Sequence, residues 1–327
     1  MNRINREEWE QSEWAELKRL RTVFLSEELA HQNKNYWNSS KLLNLYHETF
    51  AQRIGWKWDA VLKELIGKNL ITENKTFAVL DFGCGTGIAA QKIFEHLGAN
   101  IISDVWLWDT SKTAVEFAHK KLEQLDPNLK VKQLSQPSVP TGNWILCLSH
   151  LINELQLGDL DRLISFIEKA DFIIWVEPGT SVSSQRLIMV REKLANKMTI
   201  IAPCSHQESC GMLKEANKQH WCHFFALPPK EVFQSAFWNQ FSRNLKIDLR
   251  SLPVSYLVMG KEPFLAINQV AEARVIGRPR IYKGNGKFLT CKKEGVSETT
   301  LLKRNHSQLF KNYKHDIFSQ KISGDLY

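Results

Sequence analysis

The segment Lys75 to Leu97 reads "KTFAVLDFGCGTGIAAQKIFEHL", and it constrains the fold more than any other part of the chain. A short apolar run ends at Asp81, passes through Gly83, Gly85 and Gly87, and enters an amphipathic stretch. Glycines at such a place let the chain turn tightly and bring backbone N–H groups close to a ligand, while the start of the next helix favours a carboxylate or phosphate. NAD- and FAD-binding folds use similar turns, and a tight turn holding no ligand is a further reading of the triplet alone. Two acids narrow the choice. Asp81 closes the first strand, and Asp109 in "VWLWDTS" lies 22 residues beyond Gly87, where an acid for ribose hydroxyls is expected. The pattern predicts a nucleotide-type pocket whose contacts come from Asp81, Gly83, Gly85, Gly87 and Asp109.

From this loop onward, apolar runs alternate with amphipathic stretches: "DVWLWD", "TAVEFAHKKLEQL", "NWILCLSH", "LDRLISFIEKA", "DFIIWVEPG", "SSQRLIMVREKLA", "MTIIAPC". Such alternation implies an α/β protein with a parallel sheet covered on both faces. Residues 1–75 carry apolar residues at three- and four-residue spacings and read as a helical cap. Residues 76–265 hold the sheet, with a Cys/His insertion at 202–226, and 266–327 form a basic extension. The last thirty or so residues show no core period. No run of about 18 apolar residues occurs, and the charged first twenty residues lack the apolar core of an export signal. The expectation is an intracellular monomer with no membrane segment. For six cysteines in a reducing compartment, disulfides are not expected.

Cys84 in the glycine loop and Cys147 in an apolar strand read as small hydrophobes. Cys204, Cys210 and Cys222 are spaced C-x5-C-x11-C, with Cys291 following 69 positions later. His206, His220 and His223 lie among them. This is not the C-x2-C pair of a zinc finger, so the spacing alone leaves three readings open: a thiolate metal centre, zinc shared with histidine, or unligated thiols. Around Cys291 stand Arg274, Arg278, Arg280, Lys283, Lys287, Lys292 and Lys293, with Tyr282 and Phe288 between them. From Leu245 to the end, 15 Lys and Arg oppose 7 Asp and Glu, an excess equal to the whole chain's formal charge of +8. A basic third on a neutral body is the footprint of a polyanion partner such as nucleic acid, where phosphates meet the cations and bases stack on the aromatics. A solvated basic face is the plainer alternative.

The D-x-G-x-G-x-G form resembles motif I of class I S-adenosylmethionine-dependent methyltransferases. "APCSHQESC", "WCHF", "RPRIYKGNGKFLTCKKEG", "SHLINEL" and "VEPGTSVSSQRLIMVREKL", in that family's order between about Thr76 and Gly295, resemble the Rsm-type methyltransferase-like proteins of the small ribosomal subunit. That family comprises mitochondrial ribosome assembly factors and bacterial relatives. The resemblance implies a class I, Rossmann-like methyltransferase fold with an N-terminal helical cap, a Cys-rich metal-binding insertion and a basic C-terminal β-like extension. It further implies S-adenosylmethionine as cofactor and small-subunit rRNA as partner in ribosome assembly. By the same resemblance Cys204, Cys210, Cys222 and Cys291 hold a [4Fe–4S] cluster, with a zinc site as the alternative. Two positions depart from the family: Cys210-Gly211-Met212 replaces Cys-Pro-Leu, and Gly286-Lys287 replaces the Gly-His before the fourth cysteine.

Methyl transfer is left open, because "LSHLINELQLGD" lacks the Asn/Asp-Pro-Pro-aromatic motif that amino-methylating enzymes often carry after the fourth strand. His150, Asn153 and Glu154 there either line the pocket or start a helix. An active rRNA cytosine methyltransferase using Cys204 as nucleophile, with a structural zinc site, and a small-molecule methyltransferase are the rival readings. The acids among the first twenty residues favour a bacterial cytoplasm over the mitochondrial matrix.

Overall fold

The computed structural model describes residues 9–25, 37, 39–67, 75–261, 273–314 and 321–322. The chain forms two compact units, Met1–Ile173 with Ala226–Leu252, and Ile174–Phe225 with Pro253–Tyr327.

The first unit begins with helices. Helix α1 spans Gln11–Leu25, and α2 spans Ser40–Tyr46 and runs through a π-helical turn into α3, Gln52–Ile66. Ser39 caps α2 by accepting the Leu42 N–H at 3.1 Å, which satisfies one of the free amides of the first turn. Then come β1 (Phe77–Phe82), α4 (Ile88–Leu97), β2 (Ile102–Trp108), α5 (Lys112–Leu125), β3 (Lys130–Gln133), β4 (Trp144–Ser149) and α6 (Leu157–Ile167). Its strands run parallel in the order β3-β2-β1-β4. Strands β1, "FAVLDF", and β4, "WILCLS", are buried almost throughout, as expected of strands covered on both faces. With β1 between β2 and β4, their carboxyl ends meet at one edge, where ligands of open α/β sheets bind.

The N-terminal helices are part of this same unit. Trp9, Trp14, Leu17, Leu45 and Trp56 share a core with Phe237, Trp238, Phe241 and Leu245 of the helix Ala236–Leu245. A second cluster joins Leu20, Trp37, Leu42 and Leu43 to Ala114 of α5. Much of the tryptophan content is spent on ring packing, with Trp9–Trp14 and Trp56–Trp238 centroids each 4.9 Å apart. Such pairs contribute about 0.5–1.5 kcal/mol beyond the area they bury.

The second unit contains β5 (Phe172–Pro178, entering it at Ile174), α7 (Ser181–Leu194), β6 (Thr199–Ala202), β7 (Phe224–Phe225) and β8 (Pro253–Gly260). Their order is β5-β8-β6, with β6 and β7 antiparallel to β8. A separate antiparallel sheet follows, built from β9 (Ala273–Ile281), β10 (Asn285–Lys292), β11 (Gly295–Leu302) and the short β12 (Lys321–Ile322) on β9. Strand β10 alternates as the pleat requires. Phe288 packs with Ala273, Val275 and Leu301 beneath Phe310 and Tyr313 of helix α8, Ser307–Lys314. Leu289 and Cys291 join the other cluster, with Ile276, Val296, Ile188 and Met212.

The sequence shows no core period over its last thirty residues, yet β11 and α8 form there. Helix α8 is eight residues long and buries only Phe310 and Tyr313. Two apolar positions three residues apart are too few to register as a period.

Candidate functional site

Each unit gathers one set of chemistry-bearing side chains. In the first, the glycine loop joins the carboxyl ends of β1 and β2, since the N–H groups of Gly83 and Cys84 both donate to Trp108 O, at 2.8 and 3.0 Å. Gly83, Gly85 and Gly87 all have positive φ, of 72°, 52° and 72°. At Gly85 a Cβ would meet nothing within 4 Å, whereas at Gly87 it would lie 2.8 Å from Ala118 Cβ on α5. Gly87 thus sets the close approach of loop and helix, and Gly85 keeps backbone open for a ligand. Asp109 follows β2 and ties the loop down: its Oδ2 accepts the Gly85 N–H and its Oδ1 the Ser111 N–H, each at 2.9 Å. Burial pushes its carboxyl upward, against the lowering effect of these amides.

Asp81 has a different surrounding from the one a direct ligand contact would have. It is fully buried, its Oδ2 accepting the Ala90 N–H at 3.3 Å at the start of α4 and its Oδ1 facing the Cys147 thiol at 3.6 Å. Burial pushes its pKa up to about 7. Asp81 braces the first turn of α4 from below, where a negative end complements the helix dipole.

At the end of β4 stands His150, whose φ of 54° is rare for a residue with a side chain. No helix begins there; α6 starts only at Leu157. Leu151 lies against the loop, with its Cδ1 3.2 Å from where a Cβ on Gly83 would be. Helix α3 reaches the same place: Trp58 Nε1 donates to Ser149 Oγ at 2.9 Å, and Lys57 Nζ lies 3.4 Å from His150 Nε2. Burial, and then the Lys57 charge, hold His150 well below the usual imidazole range, so the ring is neutral and Nε2 accepts from the ammonium. The helical cap therefore supplies residues to the edge of the crevice, which sequence reasoning missed. The signal was a lysine, Lys57, lying between two tryptophans in "GWKWD" on the buried side of α3.

In the second unit, Cys204, Cys210, Cys222 and Cys291 are all free thiols. Burial raises Cys222 far above the usual thiol range, and Cys204, Cys210 and Cys291 add to this in turn. Burial followed by repulsion from Cys204 and Cys210 takes Cys291 to about 12, and Cys210 stands at about 11. Four thiols from distant positions thus converge electrostatically. Among the described residues, however, no three or more His, Cys, Asp or Glu are grouped as a ligand set for a metal ion.

Two buried guanidiniums accompany the thiols. Arg191 of α7 interacts with Cys204 and pairs with Glu192, and Arg274 of β9 lowers Cys222 and Cys291. His206 Nε2 lies 3.5 Å from Cys291 Sγ. Four thiolates facing two guanidiniums would carry excess negative charge, which a cationic metal centre offsets. In this respect the donor set fits such a centre.

The Cys loop is also fastened without any metal. Glu192 Oε1 accepts the Cys210 N–H at 3.2 Å, and Asn217 Nδ2 donates to Gly211 O at 2.9 Å and Val296 O at 3.4 Å. Gly211, one of the departures from the family pattern, has its reason here: a Cβ on it would lie 2.6 Å from Val296 N.

The basic segment is less open than its sequence suggests. Arg274 is buried, with its guanidinium over the Phe224 ring at 4.5 Å and bonded to the Tyr256 hydroxyl. Phe288 is core. Arg280 and Lys287 share Glu298, and Arg278 lies 4.4 Å over Phe225.

The family model described as mitochondrial small ribosomal subunit Rsm22 matches residues 50–321. No curated protein matches the chain. Among solved structures, the chain is similar to magnesium protoporphyrin IX methyltransferase (ChlM) from Synechocystis PCC 6803 with bound SAM. That similarity has 14% identity and a TM-score of 0.41, over 76% of this chain and 97% of that one. It is also similar to the N-methyltransferase NodS from Bradyrhizobium japonicum WM9 in complex with S-adenosyl-L-homocysteine, at 9% identity and a TM-score of 0.37, over 62% and 87% of the two chains. The M. capricolum TrmK complex with S-adenosyl-homocysteine matches at 11% identity and a TM-score of 0.33, over 62% and 67%. The fold is α/β with parallel and antiparallel strands.

Proposed function

The chain belongs to the mitochondrial small ribosomal subunit Rsm22 family, and from that premise we propose a methyltransferase-like protein that binds S-adenosylmethionine and acts with small-subunit rRNA in ribosome assembly. The observation that carries this reading is that one family match, residues 50–321, spans both the glycine loop and all four converging thiols. When bound, S-adenosylmethionine supplies an electrophilic methyl group. Gly85 leaves room for it at the strand ends, and Asp109 Oδ2 has a lone pair to spare for a ribose hydroxyl beyond the Gly85 amide it already accepts, while Oδ1 is taken by the Ser111 amide and the Thr110 hydroxyl. Asp81 orients the loop from beneath. His150 and Lys57 stand at the crevice edge, but an imidazole held well below its usual range beside an ammonium is a weak base, so their role is to line the site rather than to take a proton.

In the same reading Cys204, Cys210, Cys222 and Cys291 ligate a [4Fe–4S] cluster, with Arg191 and Arg274 balancing part of its charge. A cluster is several atoms across, so its four sulfurs need not surround a single point. It would join the Cys loop to β10 as a staple. An all-cysteine zinc site is the alternative, since the same thiolates suit either centre.

Anaerobic purification with an absorption spectrum, iron, sulfide and zinc analysis, and calorimetric titration with S-adenosylmethionine tests both halves. The expected result is iron and sulfide near about four per chain, lost in Cys222→Ser, and adenosylmethionine binding weakened in Asp109→Ala. About one zinc without sulfide replaces the cluster by the zinc reading. Wild-type protein that leaves S-adenosylmethionine unbound rejects the cofactor assignment.

A further inference from the structure

The cations of the small sheet fall into two groups. Arg274 is buried beneath Phe224 and Tyr256, Arg280 and Lys287 share Glu298, and Lys293 faces Glu208 at 3.9 Å. Lys283, Lys303 and Arg304, by contrast, are exposed and make no ion pair among the described residues. They lie at one end of the sheet. The Lys303 N–H donates to Gly284 O at 3.0 Å, setting the β9–β10 turn beside the turn that follows β11. Tyr282 opens the first of these turns, its N–H bonded to Asn285 O at 2.8 Å, and its side chain is 51% exposed. Asn285 in turn pairs with Leu302 across the strands. Two mutually bonded turns therefore hold one exposed aromatic ring and three exposed cations with no carboxylate partner among the described residues, Lys303 lying 5.9 Å from the Phe310 ring centroid.

From this arrangement we infer that the sheet tip, Tyr282 with Lys283, Lys303 and Arg304, is a docking site for single-stranded RNA; the inference rests on the RNA reading proposed above and locates it. A single strand presents phosphates to cations and unstacked base faces to an aromatic ring, which is the combination found here. A duplex hides its base faces and is met chiefly through phosphate and 2′-hydroxyl contacts, which give an exposed tyrosine no role. A protein partner would need a larger apolar centre than one ring. The strip around Cys291, where the sequence places the greatest density of charge, is a poorer surface because Arg274 is buried and Arg280, Lys287 and Lys293 already face Glu298 or Glu208.

The test uses the full-length protein and fluorescence anisotropy with a short labelled single-stranded RNA and the duplex of the same sequence. Wild type is expected to prefer the single strand. Tyr282→Ala weakens binding on the order of tenfold while Tyr282→Phe retains it, as stacking requires. Lys303→Gln with Arg304→Gln weakens binding and lowers the salt slope by about 0.7 per cation removed. Arg280→Gln, whose side chain already faces Glu298, changes binding little. Wild-type melting temperatures in all variants establish that the fold is intact, since every altered side chain is exposed. Unchanged binding by Tyr282→Ala and by the double variant, or equal affinity for the duplex, overturns the docking site and leaves the RNA reading standing. Wild type that binds neither RNA removes the RNA reading itself.

Discussion

At the residue scale, the three loop glycines resemble one another in sequence but are constrained differently. An L-residue in the left-handed region costs about 1–2 kcal/mol, and both Gly85 and Gly87 occupy that region. Of these two, only Gly87 would also bring a Cβ against a neighbour, 2.8 Å from Ala118 Cβ; at Gly83 the Cβ would lie 3.2 Å from the Leu151 side chain. Gly87→Ala is expected to cost about 3 kcal/mol and Gly85→Ala about 1, with urea unfolding as the check; equal losses would show that packing against α5 does not matter. Asp81 gives a prediction in pH. Its pKa in the folded protein, about 7, exceeds the ordinary carboxylate value of about 4, so the native state binds its proton more tightly than the unfolded chain does. Its contribution is fully present below about pH 4, declines by up to about 1.4 kcal/mol per unit towards pH 7, and is absent above. Asp81→Asn should flatten that part of the stability profile, and parallel wild-type and variant curves between pH 4.5 and 6.5 would rule the assignment out. Asp81 and Asp109 are legible in the sequence because strand, turn and helix follow each other locally. The Lys57–His150 contact is not, because it joins residues 93 positions apart and no local period encodes it.

At the scale of elements, the second unit shows how a loop without regular structure is held in place. Residues 204–223 contain only two short 3-10 turns, so their fixation depends on contacts with α7, β8 and the β10–β11 hairpin. Asn217 is 7% exposed and bridges two carbonyls, Gly211 O and Val296 O. Removing its amide leaves both acceptors without that donor, at about 1–3 kcal/mol. Asn217→Ala is therefore expected to lower stability by that amount and to speed amide exchange at Val296 and its neighbours; unaltered exchange there would mean that the hairpin does not depend on this bridge. Gly211→Ala acts on the same contact by intrusion and should be the more damaging, because the atom it meets is backbone and cannot rotate away. The β9–β10 pair is legible as β-like from its alternation and from "KGNG", while β11 is obscured because Ser297, Glu298 and Thr300 are exposed on both of its faces and leave no apolar alternation. The sense of the Gly211 departure is invisible in sequence, since it depends on a turn some 85 positions away.

At the scale of the whole molecule, the two sets of functional residues lie in separate compact units, and a probe of one need not report on the other. Nine of the 11 tryptophans belong to the first unit, leaving Trp175 and Trp221 in the second. The aromatic richness that composition alone leaves undecided between packing and stacking thus belongs mainly to the packing of the N-terminal helices, while an aromatic exposed beside exposed cations is Tyr282. This division makes removal of the proposed metal centre informative. With the staple gone, Glu192 would still hold the Cys210 amide and Asn217 would still bridge Gly211 to Val296, so the second unit is expected to loosen rather than unfold outright. Chelation under anaerobic conditions should raise amide exchange in residues 204–223 and in β9 to β11, with exchange at the glycine loop and the tryptophan emission left close to their starting values. If the chelated protein instead kept full protection in the Cys loop, the side-chain fastenings alone would suffice and the thiols would have no stapling role. If protection at the glycine loop fell in step with that of the Cys loop, a metal centre in the second unit would be governing the cofactor crevice as well, and the four cysteines would have to be counted among the residues that control S-adenosylmethionine binding.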